Sequence, residues 1–286
     1  MAFYSPQPTP ERIPEKADLC LCAHVAPFND MGQKRKNNED SYLILPLDGS
    51  VAPQNGEENV LAFSAPGLLL AVADGMGGHV AGEVASRMCV ESLRQEMAAR
   101  SPMAGAPEPD LLLALREAVE AAHRGVYNHS REHAEGSTMG TTLTAAFLNG
   151  TRAAVAQVGD SRAYLFRAGS LFLLTRDQTI GNLLRSRGED SDRISSEIKE
   201  MLTQAVGAQA DIEVIMSAID LEPGDVLLLC SDGLYKVVSP GEIVECLEQP
   251  ASAGQKAGDL VMKANENGGP DNITVIVAEI QGVAKT

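Results

Sequence analysis

Short apolar runs bounded by glycine, proline, asparagine or aspartate recur along most of this 286-residue chain. Their length and β-branched content predict strands at Leu19–Val25, Ser41–Leu47, Leu68–Ala73, Thr141–Leu148, Ala153–Val158, Ala163–Arg167, Leu171–Leu174, Ile212–Ser217, Val226–Cys230 and Ile273–Ile280. The connections Gly159-Asp160-Ser161 and Ala168-Gly169-Ser170 are tight, which favours antiparallel hairpins over crossovers. Elsewhere the apolar period lengthens. Val80, Val84, Met88, Leu93 and Met97 fall near a helical repeat, as do Leu111, Leu115, Val119, Ala122 and Val126. The Pro102–Pro109 stretch separates these two segments and predicts an antiparallel helix pair; Pro240–Glu248 and Ala251–Asn265 predict a second. Hairpins together with helix pairs indicate sheets covered by helices, an α+β architecture without alternating βαβ units.

Three segments depart from this pattern. Residues 1–17 hold several prolines with mixed charge and no period, and are expected to form a flexible leader before one domain at 18–286. Asp48–Gly67 is polar and reads as a surface loop. The charged stretch Gly181–Ser196, within a segment of about 181–203, has a weak core face and reads as a mobile flap or a solvated helix.

Composition narrows the function. A net charge of -16 argues against nucleic-acid binding, which recruits lysine and arginine. No signal sequence is visible at Met1, and the longest apolar runs are too short to span a bilayer, so a cytoplasmic protein without membrane contact is expected. Five cysteines fit no disulfide or zinc spacing and read as reduced thiols, with Cys20 and Cys22 on one face of a strand.

Against this background four acidic patches stand out: Asn38-Glu39-Asp40, Asp74-Gly75-Met76-Gly77-Gly78, Ser231-Asp232-Gly233 and Gly269-Pro270-Asp271-Asn272. Any one of them is ordinary turn chemistry. Together they place carboxylates at strand ends, free to enter a shared cleft, and hard divalent cations take oxygen ligands of this kind. Asp74 follows a buried-type run, and the glycines after it let a backbone carbonyl serve as a ligand. Arg35 lies in a basic triplet running into Glu39 and Asp40, where a guanidinium could grip a phosphate beside metal ions. Asp160 sits at a turn of the same character.

In their order and wording these motifs resemble the metal-dependent protein phosphatases, the type 2C serine/threonine phosphatase family, in its bacterial style. The resemblance is carried by Arg35-x-x-Asn38-Glu39-Asp40, Asp74-Gly75-Met76-Gly77-Gly78-His79 with Gly82-Glu83, and Gly140-Thr141-Thr142-Leu143. It continues through Val158-Gly159-Asp160-Ser161-Arg162, Leu174-Thr175-Arg176-Asp177, Ser231-Asp232-Gly233-Leu234 and Asp271-Asn272-Ile273-Thr274, from about residue 20 to 280. It implies a four-layer α-β-β-α sandwich, with two central antiparallel sheets flanked by helix pairs. It implies two magnesium or manganese ions: Asp74 bridging, the Gly75 carbonyl and Glu39 on one, Asp232 and Asp271 on the other, with Asp160 and Asp232 near a weaker third site. Arg35 would bind the substrate phosphate and Asp40 would order the site. The activity implied is hydrolysis of phosphoserine and phosphothreonine in targets of a serine/threonine kinase, by direct attack of a hydroxide bridging the ions. A catalytically silent binding module and a small-molecule phosphoester hydrolase are the alternatives.

Two positions depart from the family pattern. Met76 stands where some members carry a histidine proposed as general acid, and for His79 a loop or packing role is favoured over that chemistry. Lys236 replaces a carboxylate found in many relatives near the third ion, and would disfavour that ion or substitute for its charge.

Overall fold

The computed structural model describes residues 19–63, 66–77, 80–100, 110–133, 139–189 and 194–284. The expected leader, the Pro102–Pro109 break and His79 lie outside the described residues. In chain order the elements are β1 (Leu19–Asp30), β2 (Asp40–Pro46), β3 (Asn59–Ala62), β4 (Leu68–Met76), α1 (Val80–Ala99), α2 (Asp110–His133), β5 (Gly140–Thr141), β6 (Leu143–Asn149), β7 (Arg152–Val158), β8 (Arg162–Arg167) and β9 (Ser170–Leu173). There follow α3 (Ile180–Ser186), α4 (Ser196–Glu200), β10 (Ile215–Asp220), β11 (Val226–Cys230), α5 (Asp232–Tyr235), α6 (Pro240–Glu248), α7 (Ala253–Glu266) and β12 (Ile273–Ala284).

Two antiparallel sheets form, one in the order β3-β1-β12-β11-β8-β9 and one in the order β10-β7-β6-β4-β2, with β5 pairing β4 at its end. The uninterrupted apolar character of β4 and β11 reflects burial on both faces. Leu69, Ala71 and Ala73 of β4 pack under α1 and α2, whereas Leu68, Leu70 and Val72 face the other sheet. In β11, Leu227 and Leu229 point between the sheets, and Val226, Leu228 and Cys230 pack under α6 and α7. Period-two alternation thus sorts each strand into two cores, and three cores in series make four layers, α-β-β-α.

Each helix pair is antiparallel: Arg100 at the end of α1 reaches Glu117 of α2, and Lys263 of α7 reaches Glu242 of α6 at 3.3 Å. Ser239 and Ser252 open α6 and α7 with capping boxes closed by Glu242 and Gln255, which sets their first turns.

Three expectations need correction. The Asp48–Gly67 segment contains β3, whose Leu61 is buried along with nearby Phe63, because the edge of β1 offers it a partner. The last strand before residue 226 begins at Ile215, three residues late, since its register is set by β7, Ile215 opposite Gln157. And Gly159-Asp160-Ser161 is no hairpin: β7 lies in one sheet and β8 in the other. Only β8 and β9 form the expected hairpin across Ala168-Gly169. The chain crosses between sheets at Asp160, which carries that residue to the seam where both sheets end.

Candidate metal centre

At that seam the strand ends converge. Register places Asp40, first residue of β2, opposite Asp74 near the end of β4. Asp232 opens α5 directly after β11, and Asp271 precedes β12. Arg35, Glu39, Asp74, Gly75, Asp160, Asp232 and Asp271 all line one cleft of about 320 Å³, joined by Met76, Thr142, Glu200, Leu202 and Lys236.

Local interactions hold these groups in place. The Asp74 amide donates to Thr142 Oγ1 at 3.0 Å, and its carbonyl accepts from the Thr142 amide at 2.8 Å and from Thr141 Oγ1 at 2.9 Å. The Glu39 amide donates to Asn272 Oδ1 at 2.9 Å, while Asn272 Nδ2 donates to the carbonyls of Met31 and Asn37. Asn272 therefore pins the Met31–Glu39 loop to the start of β12, fixing Arg35, Glu39 and Asp271 relative to one another. A Cβ at Gly82 would collide with Glu39 Oε2, so only glycine in the first turn of α1 leaves that carboxylate its position. At the sheet crossing Gly159 adopts φ 98°, with its amide donating to Gln178 Oε1 at 2.7 Å and its carbonyl accepting from the Gln178 amide at 2.9 Å.

Electrostatically the cleft is a cluster of buried acids short of countercharge. Burial pushes the Asp74 carboxyl well above the usual range, and Asp40, Asp232, Asp160 and Asp271 push it further. Burial also raises Asp40 to about 7, against hydrogen bonds that Thr274 Oγ1 and Ser231 Oγ donate to its Oδ2 at 2.7 Å each. Asp160 is likewise raised to about 7, by burial and then by Asp232. Two carboxylate oxygens, Asp40 Oδ1 and Asp232 Oδ1, are buried without any hydrogen-bond partner. Buried oxygens left unpaired are costly unless a cation or ordered water meets them. With an all-oxygen donor set, they fit hard divalent ions.

Two cationic side chains already reach into the cluster. Arg35 Nη2 contacts Asp271 Oδ2 at 2.7 Å, and Lys236 Nζ contacts Asp232 Oδ2 at 2.6 Å and Glu200 Oε2 at 3.3 Å. Among the described residues no three His, Cys, Asp or Glu side chains close on a single point.

Sequence reasoning missed Tyr235 and Glu200. Tyr235 donates its hydroxyl to the Asp160 carbonyl at 3.1 Å and to Asp160 Oδ2 at 3.2 Å, one helical turn after Asp232. That spacing was the available signal. Glu200 arrives with α4 from the charged flap stretch, for which no local pattern marks a site.

Comparison with known proteins points to one family. Residues 60–264 match the protein phosphatase 2C family model. The serine/threonine phosphatase stp of Listeria welshimeri is 33% identical over 258 residues, covering 90% of this chain and 95% of that protein. A crystal structure of the catalytic domain of the serine/threonine protein phosphatase PstP in complex with two manganese ions superposes with TM-score 0.72 at 35% identity, covering 91% of this chain and 99% of that one. The Streptococcus agalactiae serine/threonine phosphatase gives TM-score 0.76 at 30% identity, over 90% of this chain and 99% of that chain. With its four-layer fold and its carboxylate cleft at the sheet ends, the chain belongs to the protein phosphatase 2C family of metal-dependent serine/threonine protein phosphatases.

Proposed function

We propose that the strand-end cleft hydrolyses phosphoserine and phosphothreonine in phosphoproteins that a serine/threonine kinase has modified, with two magnesium or manganese ions as cofactors. The observation that carries this reading is the meeting of four separated acidic patches and Arg35 in one cleft. Asp74, Asp232, Asp271, Glu39 and the Gly75 carbonyl are the ligands assigned. Divalent ions held there supply Lewis acidity, lowering the pKa of coordinated water and offsetting phosphate charge.

The chain's own residues do the rest. Arg35 is about half exposed and its guanidinium presents a planar fork, suited to taking two phosphoryl oxygens and holding the group for in-line displacement. Arg35 Nη2 lies 2.7 Å from Asp271 Oδ2, so the guanidinium stands at the edge of the ligand set, where it could share itself between that carboxylate and a phosphoryl group. Asp40 acts through others: by accepting from Ser231 and Thr274 it locks the backbone on either side of Asp232 and Asp271. Tyr235 orients Asp160, the residue assigned to a weaker third site, and Lys236 supplies positive charge beside it. Met76 leaves no imidazole at its position in the cleft.

A cytoplasmic setting is supported by five free cysteines, and among the described residues no helix is long and apolar enough to cross a membrane. The test is phosphate release from a phosphothreonine peptide by metal-stripped protein titrated with manganese, beside Asp232→Asn. Metal-dependent turnover that the variant loses supports the reading. Tight manganese binding without turnover in the wild type would sink it and leave a silent binding module.

A further inference from the structure

Beside the metal cleft, and sharing Asp160, Glu200 and Lys236 with it, lies a second groove of about 530 Å³. Its floor is rigid. Arg162 makes a two-pronged ion pair with Asp177 (2.9 and 2.7 Å), donates to Tyr164 at 2.9 Å and stacks 3.6 Å over the Tyr235 ring. The charges of that floor meet one another: Arg162 and Asp177 form a neutral pair, and Lys236 is held by Asp232 and Glu200 with the Asp160 carboxyl beside it. Those of the rim do not. Arg176, following β9, and Arg185, on α3, both line the groove and are exposed, and among the described residues neither guanidinium meets a carboxylate. In a chain carrying a net charge of -16, two unpaired arginines facing one concave surface beside the reaction centre mark a local reversal of sign.

We propose that this groove is an anion subsite, which takes a carboxylate or second phosphate on the phosphoprotein segment whose phosphoserine or phosphothreonine occupies the metal cleft. This rests on the phosphatase reading and names the class of substrate: segments bearing an additional acidic or phosphorylated side chain near the scissile one. An extended chain advances about 3.3–3.6 Å per residue, so a residue a few positions away reaches a groove continuous with the cleft. Arginine suits either anion, because its fork pairs with two oxygens at once. The sites of contact are exposed, so the preference should weaken as salt screens it.

The experiment compares the full chain with Arg176→Ala/Arg185→Ala on a phosphothreonine peptide with neutral flanks, on the same peptide with aspartates, and on one with a second phosphoserine. p-Nitrophenyl phosphate reports the metal cleft alone. The expected result is a preference of about tenfold in kcat/KM for the anionic peptides at low salt, lost in the double variant while rates on the neutral peptide and on p-nitrophenyl phosphate stay put. A gain for the doubly phosphorylated peptide alone assigns the groove to phosphate; a gain for both assigns it to anions generally. Equal rates on all three peptides in the wild type, or a preference that survives the double variant, overturns the subsite. Failure of the phosphatase reading looks different: no metal-dependent turnover of p-nitrophenyl phosphate by the wild type.

Discussion

The middle of β4 and its end obey opposite rules within a few residues. Leu68 to Ala73 are wholly buried, alternate faces filling two cores, with no polar side chain among them. At Asp74 the same strand carries into the seam a carboxylate whose neighbours are mostly other acids. β11 repeats the contrast between Leu229 and Asp232. The strand interiors are where the chain gains its stability, by removing apolar surface from water on both faces. The strand ends give some of it back, holding like charges together in a site that only a cation relaxes. Stability and function are thus separated along one strand, and substitutions on either side of that boundary should have opposite signatures.

The sharpest break comes from Asp74→Asn. Activity with manganese should fall by about a thousandfold or more, as expected when a charge-stabilising group is removed from a preorganised site. Thermal unfolding of the metal-free protein should move the other way, to higher temperature, because a buried, repelled charge is gone. Equal turnover, or a lower metal-free Tm, would count against the placement of Asp74 at the centre of the cluster. Leu70→Ala, four residues earlier, should do the reverse. Truncating this fully buried side chain between the sheets should cost about 2–5 kcal/mol in denaturant unfolding while the folded fraction keeps its manganese-dependent turnover.

The two sides of the boundary were not equally legible. Interior runs such as Leu68–Ala73 and Val226–Cys230 announce themselves, because two-sided burial writes an uninterrupted apolar stretch. The carboxylates were legible as candidates because each follows or precedes such a run, and all seven site positions named from sequence line one cleft. What escaped was long-range. β3 forms only because β1 presents an edge, and nothing inside Asn59–Ala62 says so. The turn at Gly159–Ser161 has hairpin chemistry, yet its strands belong to different sheets, a choice made by β6, β10 and β11 as partners. Glu200 enters the cleft through the placement of α4, against Lys236 at the C-terminal cap of α5.

A smaller effect should appear in pH dependence without metal. Asp40 and Asp160 are raised to about 7 from the ordinary carboxylate value of 3.8, by burial first. A raised carboxylate holds its proton longer in the folded state than in the unfolded one. Between the two values the folded protein therefore binds more protons, and stability declines as pH rises through about 7. Metal-free protein should melt several degrees lower at about pH 8 than at about pH 5.5, where saturating manganese should largely flatten the slope. A metal-free Tm that climbs across this window would mean that the acids are ionised and paired, not crowded.

The smallest effect should come from Lys236. Its ammonium lies 2.6 Å from Asp232 and 3.3 Å from Glu200, so it touches a proposed metal ligand and the α4 segment at once. At Asp232 it competes with any cation for the same carboxylate; at Glu200 it ties α4 to the cleft. Lys236→Met keeps much of the side chain's length and removes the charge, so the two roles separate by measurement. Manganese affinity by calorimetry should rise a few-fold, on the order of 1 kcal/mol or less for a partly exposed pair. The α4 region should become easier to cleave by limited proteolysis, because an anchor is lost. Tighter metal binding without faster cleavage would restrict Lys236 to the charge balance of the cluster, and weaker metal binding would show that its positive charge helps to assemble the site.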